Sequence, residues 1–124
     1  MFELLDYTFR KMNIQITSLA QVKVIHIEGE LNTTTSGEAE TKIHQLILGG
    51  NHHLIIDLGK LAYISSAGLR IFLSANRLVK KANGEIRFCN FNKTVREVFE
   101  ISGFLMIFKY FPDVESAVSD LRVS

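Results

Sequence analysis

The chain has one cysteine, one proline and no tryptophan in 124 residues, and its charges nearly cancel: 14 Lys and Arg against 13 Asp and Glu, formally +1. A lone thiol, Cys89, excludes an intrachain disulfide and a thiolate metal cluster, and it fits a reducing compartment. Near-neutrality argues against a general nucleic-acid or membrane-surface binder, whose affinity comes from many basic contacts. The longest apolar stretch near the C-terminus, Phe104 to Phe108, falls far short of the about 20 residues a spanning helix takes. Glu3 and Asp6 stand where a signal peptide would be basic. A cytoplasmic protein is expected, without membrane insertion and without direct nucleic-acid contact.

Catalytic constellations are missing too. There is no GxxxxGK[ST] loop, no GxGxxG after a strand and no GxSxG elbow. His52 and His53 are adjacent, so in a strand they point to opposite faces and make a poor metal site. His26 in a predicted strand and His44 in a predicted helix read as surface or core-edge residues, and Cys89 as a small buried hydrophobe. Glu28, Glu30 and Asp57 show no spacing that demands a carboxylate pair. Arg70, Arg77, Lys80 and Lys81 form a basic helix edge with no interleaved aromatic platform. No enzyme, cofactor or metal is expected.

What remains is an alternating α/β pattern. Met1 to Lys11 stand apart, as an added strand or helix or as residues preceding a true start at Met12; the domain proper is read over residues 12–124. Asn13 to Leu19 and Gln21 to Glu28 are Ile- and Val-rich runs joined by a tight turn. Thr35 with Glu38 predicts a capping box, followed by an apolar helical face of Ala39, Ile43, Leu46 and Ile47 and a stop at Gly49-Gly50. His53 to Leu58 reads as a strand buried on both faces. After a loop, a helix spans Ser66 to Ala82, ended by Asn83-Gly84. Glu85 to Asn90 predicts a strand, and a helix begins near Asn92 or Lys93, where Asn92 can cap it and Thr94 to Glu97 offers a competing capping box. Leu105 to Phe111 predicts a last strand, and Pro112-Asp113 opens a final helix. The fold class is α/β: a mixed, mostly parallel sheet of four to five strands covered by about four helices.

One segment stands out chemically. Tyr63-Ile-Ser-Ser-Ala-Gly-Leu69 joins a buried strand's loop to a helix start. A serine there caps the helix by accepting a backbone N–H, and Gly68 permits close approach of another segment. A phosphate on such a hydroxyl would also meet free N–H groups and a favourable dipole. On physical grounds alone the cap is the commoner role.

Leu54-Ile-Ile-Asp-Leu-Gly-Lys-Leu-Ala-Tyr-Ile-Ser-Ser-Ala-Gly-Leu-Arg70 resembles the signature of STAS domains, specifically bacterial anti-sigma-factor antagonists. Gly29-Glu-Leu-Asn32 is similar to their Gly-x-Leu-Asp loop, and Val95 to Phe104 to their C-terminal helix and turn; the likeness spans about residues 12 to 122. The resemblance implies a partner switch. Such antagonists bind an anti-sigma factor that is itself a serine kinase of the GHKL type, freeing a sigma factor; phosphorylation of a serine switches them off and a PPM-type phosphatase restores them. In the commonest motif, Asp-Ser-Ser-Gly-Leu, the first serine is modified. Alignment on Gly-Leu places Ser66 there, Ser65 at the Asp and Ala67 at the second serine, with Ser65 the alternative acceptor. The partner face implied comprises Asn32, Thr33, Tyr63, Ile64, Ser65, Ser66, Ala67, Gly68, Leu69 and, at its rim, Arg70. Two family acids are replaced, by Ser65 and Asn32. These departures keep open a second expectation, a non-switching STAS interaction module such as a signalling scaffold or transporter-associated subunit.

Overall fold

The computed structural model describes residues 12–123; the extension read over residues 1–11 lies outside them. β1 (Met12–Leu19) and β2 (Val22–Leu31) form an antiparallel hairpin, turning at Ala20 and Gln21, where Ala20 takes a φ of 55°. Then come α1 (Ser36–Leu48), β3 (His53–Asp57), β4 (Leu61–Ile64), α2 (Ser66–Lys81) and β5 (Glu85–Cys89). α3 (Lys93–Ile101), a 3-10 turn (Phe104–Met106), β6 (Lys109–Phe111) and α4 (Val114–Val123) complete the described chain. The sheet order is β1-β2-β3-β5-β6, with β4 paired to β2, and every pairing except β1 with β2 is parallel. No helix among the described residues is long and apolar enough to cross a membrane.

The α/β architecture matches the reading of the sequence, with two local differences. Six strands are present among the described residues rather than four to five. The additional one, β4, lies where a loop was expected: its four residues are too few to announce a period, and its partner β2 lies 30 residues back. The last strand is shorter than Leu105 to Phe111. Gly103 takes a φ of 80°, and the N–H groups of Ile107 and Phe108 both bond to the Phe104 carbonyl at 3.0 Å. This turn sends Phe104 and Phe108 to the same core while Met106 and Ile107 face out, a spacing no strand provides.

Alternation along β3 splits two cores. Leu54 and Ile56 join Ile25, Ile27, Ile86 and Phe88 beneath α1, α2 and α3, whereas Ile55 joins Val22, Val24 and Cys89 beneath α4. Phe88 is the hub of the larger core, fully buried with ring centroids 5.0 Å from Phe72, 5.5 Å from Phe99 and 4.9 Å from Phe108. Burial pushes the Cys89 thiol up to about 12, helped by the Asp57 and Asp113 charges, so it is inert packing. On the α4 face Arg87 is buried, donates to Glu85 at 2.8 Å and to Asp120, and ties β5 to α4.

Phe88→Ala is expected to cost about 3–5 kcal/mol in urea unfolding, whereas Met106→Ala, at a position 92% exposed, changes stability by less than about 0.5 kcal/mol. The hydrogen bonds from Arg87 and then Lys80 hold the Glu85 carboxyl down from 4.5 to about 2. A depressed carboxylate stabilises the fold above its ordinary range and loses that contribution as pH falls through the folded value. Glu85→Gln therefore flattens the acid limb of the stability profile between pH 4.5 and about 2, measured by urea unfolding at stepped pH.

Candidate functional site

Because β2, β3, β4, β5 and β6 are parallel, their carboxyl ends share one edge of the sheet, where open α/β sheets present their sites. Two of these ends are brought side by side. Pairing of β2 with β4 shifts register between Gly29 and Glu30, Gly29 taking a φ of 92°, and then aligns Leu31 with Ile64. The Ser65 N–H continues the ladder, donating to the Leu31 carbonyl at 2.9 Å. The loop after β2, Asn32 to Thr35, thus lies against the Ser65–Ser66 start of α2.

The two serines have different surroundings. Ser65 is the N-cap of α2: its backbone is extended, and its hydroxyl accepts from the Gly68 N–H at 3.3 Å. Ser66 is the first helical residue, is exposed, and makes no side-chain hydrogen bond to a described residue. Gly68 makes the close approach expected of it. A Cβ there would sit 2.8 Å from the Leu31 carbonyl oxygen and 2.9 Å from the Ile64 Cγ1, so only glycine lets the first turn of α2 pack on the end of β2.

The neighbouring loop is organised by Asn32. Its Oδ1 accepts from the Thr34 N–H at 2.9 Å and the Thr35 N–H at 3.1 Å, and its Nδ2 donates to Glu30 at 3.3 Å. The expected Thr35–Glu38 capping box does not form. Thr35 is already helical, and its hydroxyl donates backwards to the Glu30 carbonyl at 2.8 Å while accepting from the Asn32 N–H at 2.9 Å. Glu38 pairs with Lys42 on the surface instead. At α3, by contrast, Asn92 caps as read, accepting from the Val95 N–H at 2.9 Å, and its Nδ2 also donates to the Leu61 carbonyl. That second bond, which fastens the start of β4, leaves no trace in local sequence.

Of the ten residues read as the partner face, the fold exposes Thr33, Tyr63 (48% exposed), Ser66 and Arg70 and leaves Asn32, Ser65 and Ala67 half-buried. Ile64, Gly68 and Leu69 are buried; their side chains support the surface from beneath. Leu31, whose carbonyl takes both the Ser65 bond and the Gly68 contact, belongs with them and was not anticipated.

The His26–Asp57 pair lies elsewhere. His26 Nδ1 is 2.7 Å from Asp57 Oδ2 and its Nε2 is 3.0 Å from the Thr17 hydroxyl, on the sheet face away from α2, in a groove of about 310 Å³. Burial pushes the Asp57 carboxyl up, but hydrogen bonds from Asn90, the Gly59 N–H and His26 outweigh it and hold the group below the usual carboxylate range. Glu28 pairs with Lys60 and Glu30 with Asn32, so the three carboxylates noted in the sequence go to three separate partners. Among the described residues no cluster of three His, Cys, Asp or Glu could hold a metal ion. The Ser66 edge presents an exposed hydroxyl at a helix start, hydrogen-bonded to no described residue.

Gly68→Ala tests the packing beneath it. Alanine inside a helix ordinarily gains about 1 kcal/mol over glycine; here the clash with Leu31 reverses the sign, with a net loss of about 1–3 kcal/mol in urea unfolding. Amide shifts in NMR are expected to move at Leu31, Ser65 and Ser66.

Three comparisons bear on this geometry. The STAS-domain profile matches residues 13–117. The provisionally assigned anti-sigma factor antagonist BtrV of Bordetella bronchiseptica is 32% identical over 113 residues, covering 91% of this chain and 97% of its own. The anti-sigma F factor antagonist of Paenibacillus polymyxa is 26% identical, covering 90% and 98%. The anti-sigma factor antagonist SpoIIAA of Bacillus, solved unphosphorylated and phosphorylated, superposes with TM-scores of 0.78 and 0.69 at 24% identity, covering 90% of this chain and 98% and 100% of its own. The chain therefore belongs to the STAS-domain family, as a regulatory, non-catalytic module of the anti-sigma-factor-antagonist type.

Proposed function

We propose that this protein is a cytoplasmic anti-sigma-factor antagonist. It binds an anti-sigma factor of the GHKL serine-kinase type through the Ser66 edge and frees a sigma factor. Phosphorylation at Ser66 switches it off, and a PPM-type phosphatase restores it. The observation that carries the reading is the contrast between the two serines: Ser65 is engaged as the cap of α2, whereas Ser66 is exposed at its first position. An acceptor must present its oxygen to a kinase, and Ser66 is the one that does.

The proposed mechanism needs no refolding. A phosphoserine adds about −1.5 to −2 charge. The helix start tolerates that charge within the free protein. In a complex the same group would put bulk and a strongly hydrated anion among Thr33, Tyr63 and Arg70, which are exposed together. Losing ~3–4 kcal/mol of association energy weakens binding by roughly two to three orders of magnitude.

A second reading keeps the contact surface but removes the switch, making the chain a signalling scaffold or transporter-associated module. It draws on Ser65 and Asn32, which stand at acidic family positions and are both engaged in internal hydrogen bonds. The readings separate in one experiment. The protein is incubated with ATP and its kinase partner, phosphate is mapped by mass spectrometry, and partner capture is compared for wild type, Ser66→Ala and Ser66→Asp. Modification at Ser66, with capture kept by Ser66→Ala and lost by Ser66→Asp, is the expected outcome. Co-purification with a transporter ATPase, undisturbed by Ser66→Asp, would establish the second reading instead.

A further inference from the structure

Helix α2 is charged in one sense only. Its 16 residues hold Arg70, Arg77, Lys80 and Lys81 and no acid, and apart from Ser66 these four cations are its only exposed positions. The chain's formal +1 is thus made of +4 on α2 and −3 on everything else. At about 100° per residue, Ser66 and the four cations fall within one sector of about 100°, a stripe roughly 22 Å long from Ser66 to Lys81.

Lys80 pairs with Glu85 at 2.9 Å, but Arg70, Arg77 and Lys81 make no ion pair with a described residue. On the neighbouring α1, Glu38 pairs with Lys42, and Glu40 lies against His44, whose ring reaches Ser74 of α2. Arg77 stands one turn from both Lys80 and Lys81, like-charge neighbours that oppose the helix unless a counter-charge meets them.

Charge and position specify that counter-charge. The stripe starts at Ser66 and Arg70, so a protein seated on the Ser66 edge reaches it without a gap. A nucleic acid fits less well: no aromatic residue is exposed along α2, and the −3 on the rest of the chain repels a polyanion. Residues 1–11 contain two acids and two cations, which offer no net complement.

We infer that the exposed face of α2 docks an acidic segment, rich in Asp and Glu, of the protein that binds the Ser66 edge. The inference rests on the Ser66 reading for where that partner sits. Arg70 is the join between the two surfaces. A phosphate on Ser66 would stand one turn from Arg70 and accept from its guanidinium, so modification would also withdraw the first cation of the stripe from the partner.

Two measurements on the full chain test this. In the first, octaglutamate and an oligothymidylate of equal charge are titrated at low salt and followed by amide shifts. Octaglutamate is expected to give saturable shifts along Arg70 to Lys81. The double variant Arg77→Glu, Lys81→Glu should weaken its binding by more than ~tenfold. The control Lys93→Glu, Lys109→Glu makes the same charge change at exposed positions off the stripe and should leave binding unchanged. Thermal unfolding checks that both variants fold. In the second, the kinase partner recovered by capture is mixed with the same proteins at stepped ionic strength. The α2 variant should lower the association rate by more than ~tenfold and flatten its salt dependence, with little change in dissociation.

No shifts on α2 with octaglutamate, equal losses in the two variants, or tighter binding of the oligothymidylate would overturn the inference. A partner lost with Ser66→Asp but indifferent to the α2 variant overturns the acidic segment and leaves the switch standing. Octaglutamate binding along α2 without capture through the Ser66 edge sinks the switch instead and keeps α2 as an acid-binding face.

Discussion

The contact on which the rest of the structure turns is that between the end of β2 and the first turn of α2. The Leu31 carbonyl accepts the Ser65 N–H and lies where a side chain at residue 68 would have to go. This single oxygen extends the β2–β4 ladder past Ile64, sets the residue at which α2 begins, and so decides which serine becomes the cap and which the first exposed position. It also joins two segments more than 30 residues apart in the chain, the Asn32 loop and the Ser66 helix start, into one continuous surface. Without the register shift at Gly29 and Glu30, β4 would not align with Leu31, and the two loops would have no reason to meet.

That surface is stiff for identifiable reasons. Asn32 and Thr35 engage one another, the backbone and the Glu30 carboxylate, the Ser65 hydroxyl accepts from the Gly68 N–H, and Asn92 reaches across to fasten Leu61. Ile64 and Leu69 fill the space beneath. The exposed groups left over are a threonine, a tyrosine, a serine hydroxyl and an arginine. The Thr17–His26–Asp57 network sits on the other face of the sheet and is occupied in pinning β1, β2 and β3 together. The Ser66 edge and this internal network thereby lie apart.

Much of this was legible in the chain, and the failures share a cause. The buried β3, the long amphipathic α2, the Asn92 cap and the need for glycine at residue 68 were all written in local patterns, because each depends on period or on a backbone requirement. β4 was not, since a strand of four residues with two outward side chains has no period of its own and exists because β2 is there to pair with it. Thr35 misled for the complementary reason. Its spacing to Glu38 satisfies a capping rule, but the Glu30 carbonyl offers the hydroxyl a better partner, supplied by the strand before it. In the same way Leu105 to Phe111 has strand composition, yet Phe104 and Phe108 reach one core while Met106 between them faces out, and a turn does this where a strand would bury all three.

The same dependence explains why residues in the family signature do unequal physical work here. Ile64, Gly68 and Leu69 are dictated by what lies beneath them, and substitution there acts first on the position of α2 and only through it on any partner. Thr33, Ser66 and Arg70 are exposed, and among the described residues none of them satisfies a buried group. Asn32 and Ser65 lie between, half-buried and internally bonded, and they occupy the two positions where the family's common pattern has an acid. An aspartate at residue 65 would cap α2 with a full negative charge beside Ser66; the serine caps it with none. The geometry of the helix start is thus retained while the charge at residue 65 is absent, so the formal charge nearest Ser66 along α2 is that of the exposed Arg70, one turn on and on the same side of the helix.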